Sequence, residues 1–184
     1  MDRIRMTDPE SPYYRQAMEL YAAGFPLHEQ RRPEEQIQAM KDPAFHCDAL
    51  VESGTFIGLL FYWEAVGVTY VEYFAVVEAL RSSGAGSRAL AAFCPAHAPV
   101  VLEIDPPEDA VSTRRKGFYQ RLGFAENSYA HRRPPYRTGF APHPLVVMSW
   151  PEALSPEAYS TFSRMLSHRV MRYAQVGISQ LAAT

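Results

Sequence analysis

The sequence contains few groups that bind metal ions or form cross-links. Only two cysteines, Cys47 and Cys94, are present, and they do not lie at a metal-binding spacing. None of the six histidines forms an H-x-x-x-H or H-x-H pair, so the spacing along the chain predicts no metal site. Two isolated thiols indicate reduced cysteines, which favours a cytoplasmic protein over a disulfide-bonded secreted one.

Long apolar segments and an excess of one charge sign are also missing. No apolar run approaches the roughly 20 residues that span a bilayer, and residues 1–5 lack the apolar part of a signal peptide. We therefore expect no membrane partner. A formal net charge of −2 argues against nucleic acid as a partner. The 184 residues, 47% of them hydrophobic, suit a single domain spanning 1–184.

The apolar periodicity predicts an α+β fold. Helices are expected around a mixed, mostly antiparallel sheet, in the order ααβββαβαββ followed by a C-terminal helix. The predicted helices are at 12–23, 33–42, 87–93, 110–122 and 156–174. The predicted strands are at 45–52, 55–64, 68–77, 100–105, near 128, and at 145–150, with Ser53-Gly54 as a hairpin turn between the first two.

The last predicted helix belongs to a C-terminal helical extension at 152–184. Its apolar stripe comprises Tyr159, Phe162, Leu166, Val170 and Tyr173, and Ser155 is the expected N-cap. We expect the stripe to cover the sheet. The alternative is an intersubunit contact, which would make the protein a homodimer.

The most informative segment is Arg81-Ser82-Ser83-Gly84-Ala85-Gly86-Ser87, between a predicted strand and a predicted helix. Glycines let the backbone approach a ligand, and the unpaired N–H groups of a first helical turn attract anions. The segment therefore predicts a phosphate site. Residues 84–89 also fit the G-x-G-x-x-G/A pattern, which leaves a nicotinamide-dependent enzyme as an alternative. In that pattern, however, the first glycine follows its strand almost at once.

A different motif fits the segment better. The spacing Arg81-x-x-Gly84-x-Gly86 after Glu72-Tyr73-Phe74-Ala75-Val76 resembles the acetyl-CoA-binding motif of the GCN5-related N-acetyltransferases, the GNAT family. Further along the chain, Phe118-Tyr119-Gln120-Arg121-Leu122-Gly123-Phe124 resembles the second motif of that family. The resemblance covers residues 56–150. Residues 102–109 and 133–136 look like a sparsely characterised bacterial subgroup.

The resemblance implies acetyl-CoA, or coenzyme A, as the cofactor. It places the pantetheine arm along the strand before the glycine turn and the pyrophosphate on the turn itself. The cofactor-binding residues are then Phe74, Ala75, Val76, Arg81, Ser82, Gly84, Ala85, Gly86, Ser87 and Arg115. Many family members have Asn and Ala where Ser112 and Arg115 stand, and Arg115 could reach a phosphate instead.

Tyr119 is the expected general acid, because the second family motif carries that tyrosine. Helical spacing places Tyr119 on one stripe with Arg115 and Ser112, beside a core-facing stripe of Phe118 and Leu122. The alternative is a core tyrosine whose hydroxyl has an ordinary partner.

Carboxylates supply the candidates for deprotonating an amine. Glu72 is the first, acting directly or through a water, because burial makes a carboxylate more basic. By alternation Glu72 shares a face with Tyr70 and Phe74, unless a bulge redirects it. Glu103, a further catalytic candidate, shares a strand face with Asp105, and together they predict an acidic pocket for a cationic amine. For all three, the alternative is a solvated strand face.

Two loops are expected at the acceptor. Glu29, in the loop that covers the acceptor site in this fold, and Tyr136, in a later loop, are predicted to touch substrate with Asp105. The basic pairs Arg31-Arg32 and Arg132-Arg133 are expected to be solvated.

These patterns together predict an N-acetyltransferase. A small-molecule or peptide amine would attack acetyl-CoA directly, with Tyr119 as acid and Glu72 or a water as base. The alternative within the same fold is a binding module that senses CoA without catalysis.

Overall fold

A seven-stranded mixed sheet forms the centre of the computed structural model, which describes residues 1–175. The strands are β1 (Asp2–Arg5), β2 (Phe45–Glu52), β3 (Thr55–Ala65), β4 (Val68–Val76), β5 (Val100–Ile104), β6 (Ala125–Glu126), β7 (Arg132–Arg133), β8 (His143–Pro144) and β9 (Val146–Trp150). The helices are α1 (Tyr14–Gly24), α2 (Pro33–Ala39), α3 (Ala85–Phe93), α4 (Ala110–Arg121) and α5 (Pro156–His168). Among these helices, none has the length and apolar character that crossing a membrane requires.

The strands lie in the order β1-β2-β3-β4-β5-β9-β6, and every neighbouring pair is antiparallel except β4 and β5. Strands β7 and β8 form a separate two-stranded ribbon. This arrangement confirms the predicted α+β fold with a mostly antiparallel sheet between helices. The turn between β2 and β3 uses Ser53 and Gly54 at φ 51° and 78°, as a tight hairpin requires.

The structure differs from the predicted order at both ends of the chain. The pattern does not predict β1, whose sequence Asp-Arg-Ile-Arg is mostly charged, yet it pairs with β2 at the sheet edge. Helix α5 ends at His168, and a short 3-10 turn follows at Val170–Tyr173. Of the predicted C-terminal extension, residues 176–184 lie outside the described residues.

Each face of the sheet carries its own apolar core. One core, packed under α1, α2 and α5, includes Tyr21, Phe61, Trp63, Tyr70 and Phe162. The other, under α3 and α4, includes Leu60, Leu90, Phe93, Tyr119 and Phe124. Helix α5 contributes Phe162, Met165 and Leu166 to the first core, and Ser155 caps it by accepting a hydrogen bond from the amide of Ala158. The apolar stripe of α5 therefore covers the sheet.

The parallel strands β4 and β5 pair over a short stretch only. Their register joins Thr69, Tyr70 and Val71 to residues 100–102, and beyond Val71 each strand keeps only its other neighbour, β3 or β9. The β3–β4 register also shifts between Phe61 and Tyr62, which leaves Glu72 as the extra residue of a β-bulge. The sheet consequently opens between β4 and β5, directly after a bulge.

Candidate active site

The opening between β4 and β5 exposes one edge of β4. Phe74, Ala75 and Val76 are half-buried there and pair with β3 on their other side. Within the described residues no strand pairs with this edge, so it can accept hydrogen bonds from, and donate them to, an extended ligand. The structure thus places the three predicted pantetheine residues where such a ligand would lie.

The glycine turn lies between the end of β4 and α3. Gly84 precedes α3 with φ 80°, and Ser82 has φ 70°, both in the left-handed region. The Ser83 hydroxyl accepts a hydrogen bond from the amide of Ala85 at 3.3 Å, the one cap contact of this helix end. The turn from Arg81 to Gly84 is exposed, and Gly86 and Ser87 in the first helical turn are half-buried. An open, positively polarised helix start suits a phosphate.

Tyr119 lies on the inner face of α4, in the core beneath α3. Its side chain contacts Phe118 and Phe124, and only 8% of the residue is exposed. Phe118 and Leu122 pack against this core, as expected, but Tyr119 belongs to the core itself and is more buried than either of them. Burial raises the pKa of Tyr119 to about 12, so its hydroxyl is protonated at neutral pH. Among residues 1–175 this hydroxyl makes no hydrogen bond, and it is not one of the buried polar atoms that lack a partner, so it is reachable from solvent.

The two residues predicted to share the Tyr119 stripe have other partners. The Ser112 hydroxyl donates to the carboxylate of Asp109, the N-cap of α4, and accepts from the Asp109 amide. Arg115 projects outward and forms an ion pair with Asp105 at 2.7 Å, in which both side chains are nearly half exposed. The structure therefore joins a predicted cofactor residue, Arg115, to a predicted substrate residue, Asp105.

Glu72 lies in a fully buried group of charged residues on the opposite face, under α1 and α5. Arg31 binds its carboxylate through both terminal nitrogens, at 2.8 and 2.9 Å. The indole of Trp63 donates to the same carboxylate at 2.8 Å, and Arg133 and the Tyr136 hydroxyl complete the shell. Glu72 is thus on the face of Tyr70, as predicted, but the bulge places Phe74 on the other face.

Glu103 belongs to the same group. Its carboxylate is bound by Arg133 at 3.1 Å, by the Tyr70 hydroxyl and by Nε2 of His131. Burial opposes ionisation of Glu103, but the charge of Arg133 and the His131 hydrogen bond outweigh it and hold its pKa at about 2. Since Arg133 also binds Glu72 at 3.2 Å, it bridges the two carboxylates. We call Arg31, Glu72, Glu103, His131 and Arg133, with Tyr136, the arginine–glutamate network.

The network changes several expectations from the sequence. Arg31 and Arg133 are buried, so the expectation that both basic pairs are solvated is wrong for one member of each pair. Tyr136, predicted to touch substrate, is fully buried between the two guanidinium groups, whose centres lie 4.5 and 4.7 Å from its ring centroid. Glu103 and Asp105 lie in different environments, one inside the network and one on the surface.

Glu29 lies in a short 3-10 turn, Leu27–Glu29, after α1. Its backbone carbonyl accepts a hydrogen bond from the Tyr73 hydroxyl, which ties the turn to β4 beside the bulge. Its carboxylate is 3.8 Å from Nε2 of His28 and 3.6 Å from Nε2 of His143. Spacing along the chain could not reveal this cluster, because His143 belongs to β8. The prediction of no metal site considered only neighbours in sequence.

Known proteins similar to this chain belong to one acetyltransferase family. The model of the acetyltransferase (GNAT) family matches residues 14–124. A structure from Bacteroides thetaiotaomicron, assigned to the GNAT acetyltransferase family, is similar with a TM-score of 0.85 and 30% identity, covering 93% of this chain and 98% of that one. No curated protein matches the sequence.

More distant structures share the fold. An aminoglycoside 6'-N-acetyltransferase solved with coenzyme A gives a TM-score of 0.54 at 16% identity, covering 81% of this chain and 96% of that one. Arabidopsis thaliana Naa50, solved with the bisubstrate analogue CoA-Ac-MVNAL, gives 0.54 at 16% identity, covering 74% and 91%. The family model and the similarity over nearly the whole chain agree with the parted strands and the glycine turn: this chain belongs to the GNAT family of acetyltransferases.

Proposed function

We propose that this protein transfers the acetyl group of acetyl-CoA to a primary amine by direct attack, with Tyr119 as the general acid. The Tyr119 hydroxyl carries the proposal: its residue lies in the core under α3 and α4 and is only 8% exposed, yet the hydroxyl makes no hydrogen bond among residues 1–175. Polar groups of a mostly buried side chain normally have a hydrogen-bond partner in the protein. A hydroxyl that lacks one and is still reachable is suited to a partner supplied by the substrate.

The residues around the opening fit coenzyme A. The free edge of β4 at Phe74, Ala75 and Val76 offers backbone groups to the amides of the pantetheine arm. The turn from Arg81 to Ser87 offers the amides at the start of α3 to the pyrophosphate. Held at both places, the thioester lies at the opening, and the Tyr119 hydroxyl donates its proton to the departing sulfur.

We assign the deprotonation of the amine to a water rather than to Glu72. Both oxygens of Glu72 already accept hydrogen bonds, from Arg31, Trp63, Arg133 and Tyr136. A carboxylate that accepts this many bonds has little capacity left to take a proton. In this proposal Glu72 and Glu103 stabilise β4 and β5 from the α1/α5 face of the sheet, and they do not contact the reacting atoms.

The acceptor is proposed to enter beside Glu29. The other carboxylates near the opening are neutralised, since Glu72 and Glu103 bind arginines and Asp105 pairs with Arg115. Burial would raise the pKa of Glu29, but His143 and Arg133 outweigh it and hold the pKa below its ordinary value, so the carboxylate is ionised at neutral pH. An ionised carboxylate at the entrance favours cationic amines, such as polyamines, aminoglycosides or a peptide amino group.

Steady-state kinetics test the proposal. Thiol release from acetyl-CoA is followed with a thiol-reactive dye against a panel of primary amines; Cys47 and Cys94 are buried and contribute little background. Tyr119→Phe should lower kcat at least about tenfold and leave the Kd for coenzyme A nearly unchanged, because only proton donation is lost. Tyr129→Phe, which removes a hydroxyl bonded to the carbonyl of Leu154, is the matched control and should keep the wild-type kcat.

Two results would contradict the proposal. A wild-type kcat in Tyr119→Phe removes Tyr119 from the mechanism. Tight binding of coenzyme A with no thiol release for any amine favours the alternative of a CoA-sensing module.

A further inference from the structure

Two histidines and a glutamate from separate parts of the chain converge beside the opening. His28 and Glu29 lie in the 3-10 turn after α1, and His143 lies in β8. One possible ligand atom from each residue lies within 4.8 Å of the other two. The two imidazole rings meet edge to face with centroids 4.7 Å apart.

The segments that carry these side chains are fastened to each other. The amide of Tyr136, in the connection between β7 and β8, donates to the carbonyl of His28 at 2.9 Å. The guanidinium of Arg137 donates to the carbonyl of Gln30 at 3.0 Å. The three side chains are therefore held close together by the fold, and this cluster is not a chance meeting of mobile surface groups.

The imidazole of His143 lacks hydrogen-bond partners within residues 1–175. Both of its ring nitrogens are buried and have no hydrogen-bond partner among the described residues. A buried nitrogen without a hydrogen-bond partner destabilises the folded state, and the 3.6 Å gap between Nε2 and the Glu29 carboxylate is too long for a hydrogen bond. A ligand that binds Nε2 between His28, Glu29 and His143 would remove one of these two costs.

The distances fit a transition-metal ion. With bonds of about 2.0–2.1 Å and tetrahedral angles, neighbouring zinc ligands lie about 3.3 Å apart. The observed separations of 3.8 and 3.6 Å from Glu29 to the two histidines need to close by only a few tenths of an ångström. Two imidazoles and one carboxylate favour Zn²⁺ and similar divalent ions over Mg²⁺ or Ca²⁺, which prefer oxygen ligands.

We propose that His28, Glu29 and His143 form a binding site for a divalent transition-metal ion of the zinc class. Three protein ligands leave at least one coordination position for a water or a group of a bound molecule. Two exposed apolar side chains lie nearby: Leu27, next to His28 in the chain, and Phe140, whose ring lies 5.6 Å from that of His28. The site does not depend on the acetyl transfer proposed above, and an ion bound there would compete with a cationic amine for the Glu29 carboxylate.

Metal titration tests the site without any assay of acetyl transfer. The full-length protein, freed of affinity tag and treated with chelator, is titrated with Co²⁺ alone and monitored by visible absorption, and with Zn²⁺ alone by calorimetry. One ion per chain is expected to bind, with the absorption bands of Co²⁺ in a nitrogen and oxygen site of low coordination number. Zn²⁺ should also raise the Tm, because an ion that binds only the folded state stabilises it.

Variants locate the binding. His143→Ala and Glu29→Gln should each weaken Zn²⁺ binding at least about tenfold and abolish the rise in Tm. Two controls remove histidines elsewhere: His168→Ala, an exposed residue, and His97→Ala, whose side chain pairs with Glu64 together with His46. Both controls should keep wild-type affinity. Glu29→Gln keeps the volume of its side chain, so it provides the test if His143→Ala does not fold.

The proposal is overturned by any of three results. In the first, the wild type binds neither Co²⁺ nor Zn²⁺. In the second, metal binding persists in both site variants. In the third, metal binding is lost in His97→Ala or His168→Ala but is unaffected in the site variants.

Discussion

The two faces of the sheet beside the β4–β5 opening bury polar groups in opposite ways. On the α1/α5 face, the two carboxylates of the arginine–glutamate network are hydrogen-bonded by six different side chains, and Arg133 links them. On the α3/α4 face, the Tyr119 hydroxyl has no hydrogen-bond partner among residues 1–175 and is reachable from solvent, although its residue is only 8% exposed. The two kinds of group therefore serve different purposes: a fully bonded, buried group fixes the structure, and an unbonded, reachable one is available for chemistry.

The difference also explains the charge of the site. The network contains two arginines and two glutamates, so the charges of these four side chains balance. The α3/α4 face offers backbone amides and a neutral hydroxyl instead. A polyanionic cofactor is thus expected to meet the second face, and the first face supports the strands between which the cofactor would lie.

The largest expected effect comes from removing charge within the network. Glu72→Gln keeps the side-chain volume, leaves the buried Arg31 without a carboxylate partner and leaves Arg133 with Glu103 alone. Breaking a buried ion pair from one side costs about 3–5 kcal/mol, so the free energy of unfolding should fall by that amount in urea titration at neutral pH. Tyr119→Phe, from the other face, should cost less than about 1 kcal/mol because its hydroxyl has no partner to lose. Equal losses in the two variants would contradict the comparison.

The second prediction uses pH to examine the network. Glu103 has a pKa of about 2 in the folded protein, below the ordinary 4.5. The stabilisation from its ionised form is complete above the ordinary pKa and is lost as the pH falls toward the folded value. Between about pH 6 and about pH 3, the stability difference between wild type and Glu103→Gln should shrink by about 2 kcal/mol, measured by urea unfolding.

A surface glutamate provides the control for this pH effect. Glu52 pairs with Arg88 at 3.4 Å, and both side chains are about half exposed. The stability difference between wild type and Glu52→Gln should change little over the same interval, because exposed pairs contribute little. A constant difference for Glu103→Gln across the interval would show that Arg133 and His131 do not hold its carboxylate ionised.

Sequence patterns predict the fold well where one face of an element is buried and turns are marked. Alternation and Ser53-Gly54 locate β2 at the residues observed, and the resemblance to the GNAT family locates the glycine turn. β1 escapes prediction because it is short, charged and at the edge, where its hydrogen bonds to β2 rather than apolar burial keep it in place.

The network could not be predicted from the sequence. Arg31 and Arg133 each stand beside another arginine and near a proline, a composition typical of exposed loops. Their burial depends on Glu72 and Glu103 arriving from two different strands, which is a property of the tertiary structure alone. The convergence of His28 and His143 has the same origin.

The third prediction concerns the glycine turn on the α3/α4 face. Gly84 has φ 80°, and a side chain in this conformation costs about 1–2 kcal/mol. Gly84→Ala should therefore lower the free energy of unfolding by about 1 kcal/mol and weaken coenzyme A binding in calorimetry, because the turn must shift. Gly86→Ala is the matched control for stability: its added Cβ would meet Phe118 and Phe74 at 3.5 Å, an ordinary contact, so the free energy of unfolding should be retained. Equal effects from both would show that the Gly84 conformation is not what the turn requires.

The smallest effect is expected at the exposed ion pair between Asp105, directly after β5, and Arg115 in α4. Asp105→Asn breaks the ion pair with Arg115, whose charge is then solvated rather than left buried. Such a pair contributes about 0–1 kcal/mol, and salt screens it further, so the loss in urea unfolding should be under about 1 kcal/mol and should vanish in high salt. The same chemical change, one carboxylate to one amide, is thus expected to cost several times more at Glu72. A loss at Asp105 as large as that at Glu72 would mean that burial does not set the strength of these pairs, and the assignment of the network as the support of the parted strands would fail with it.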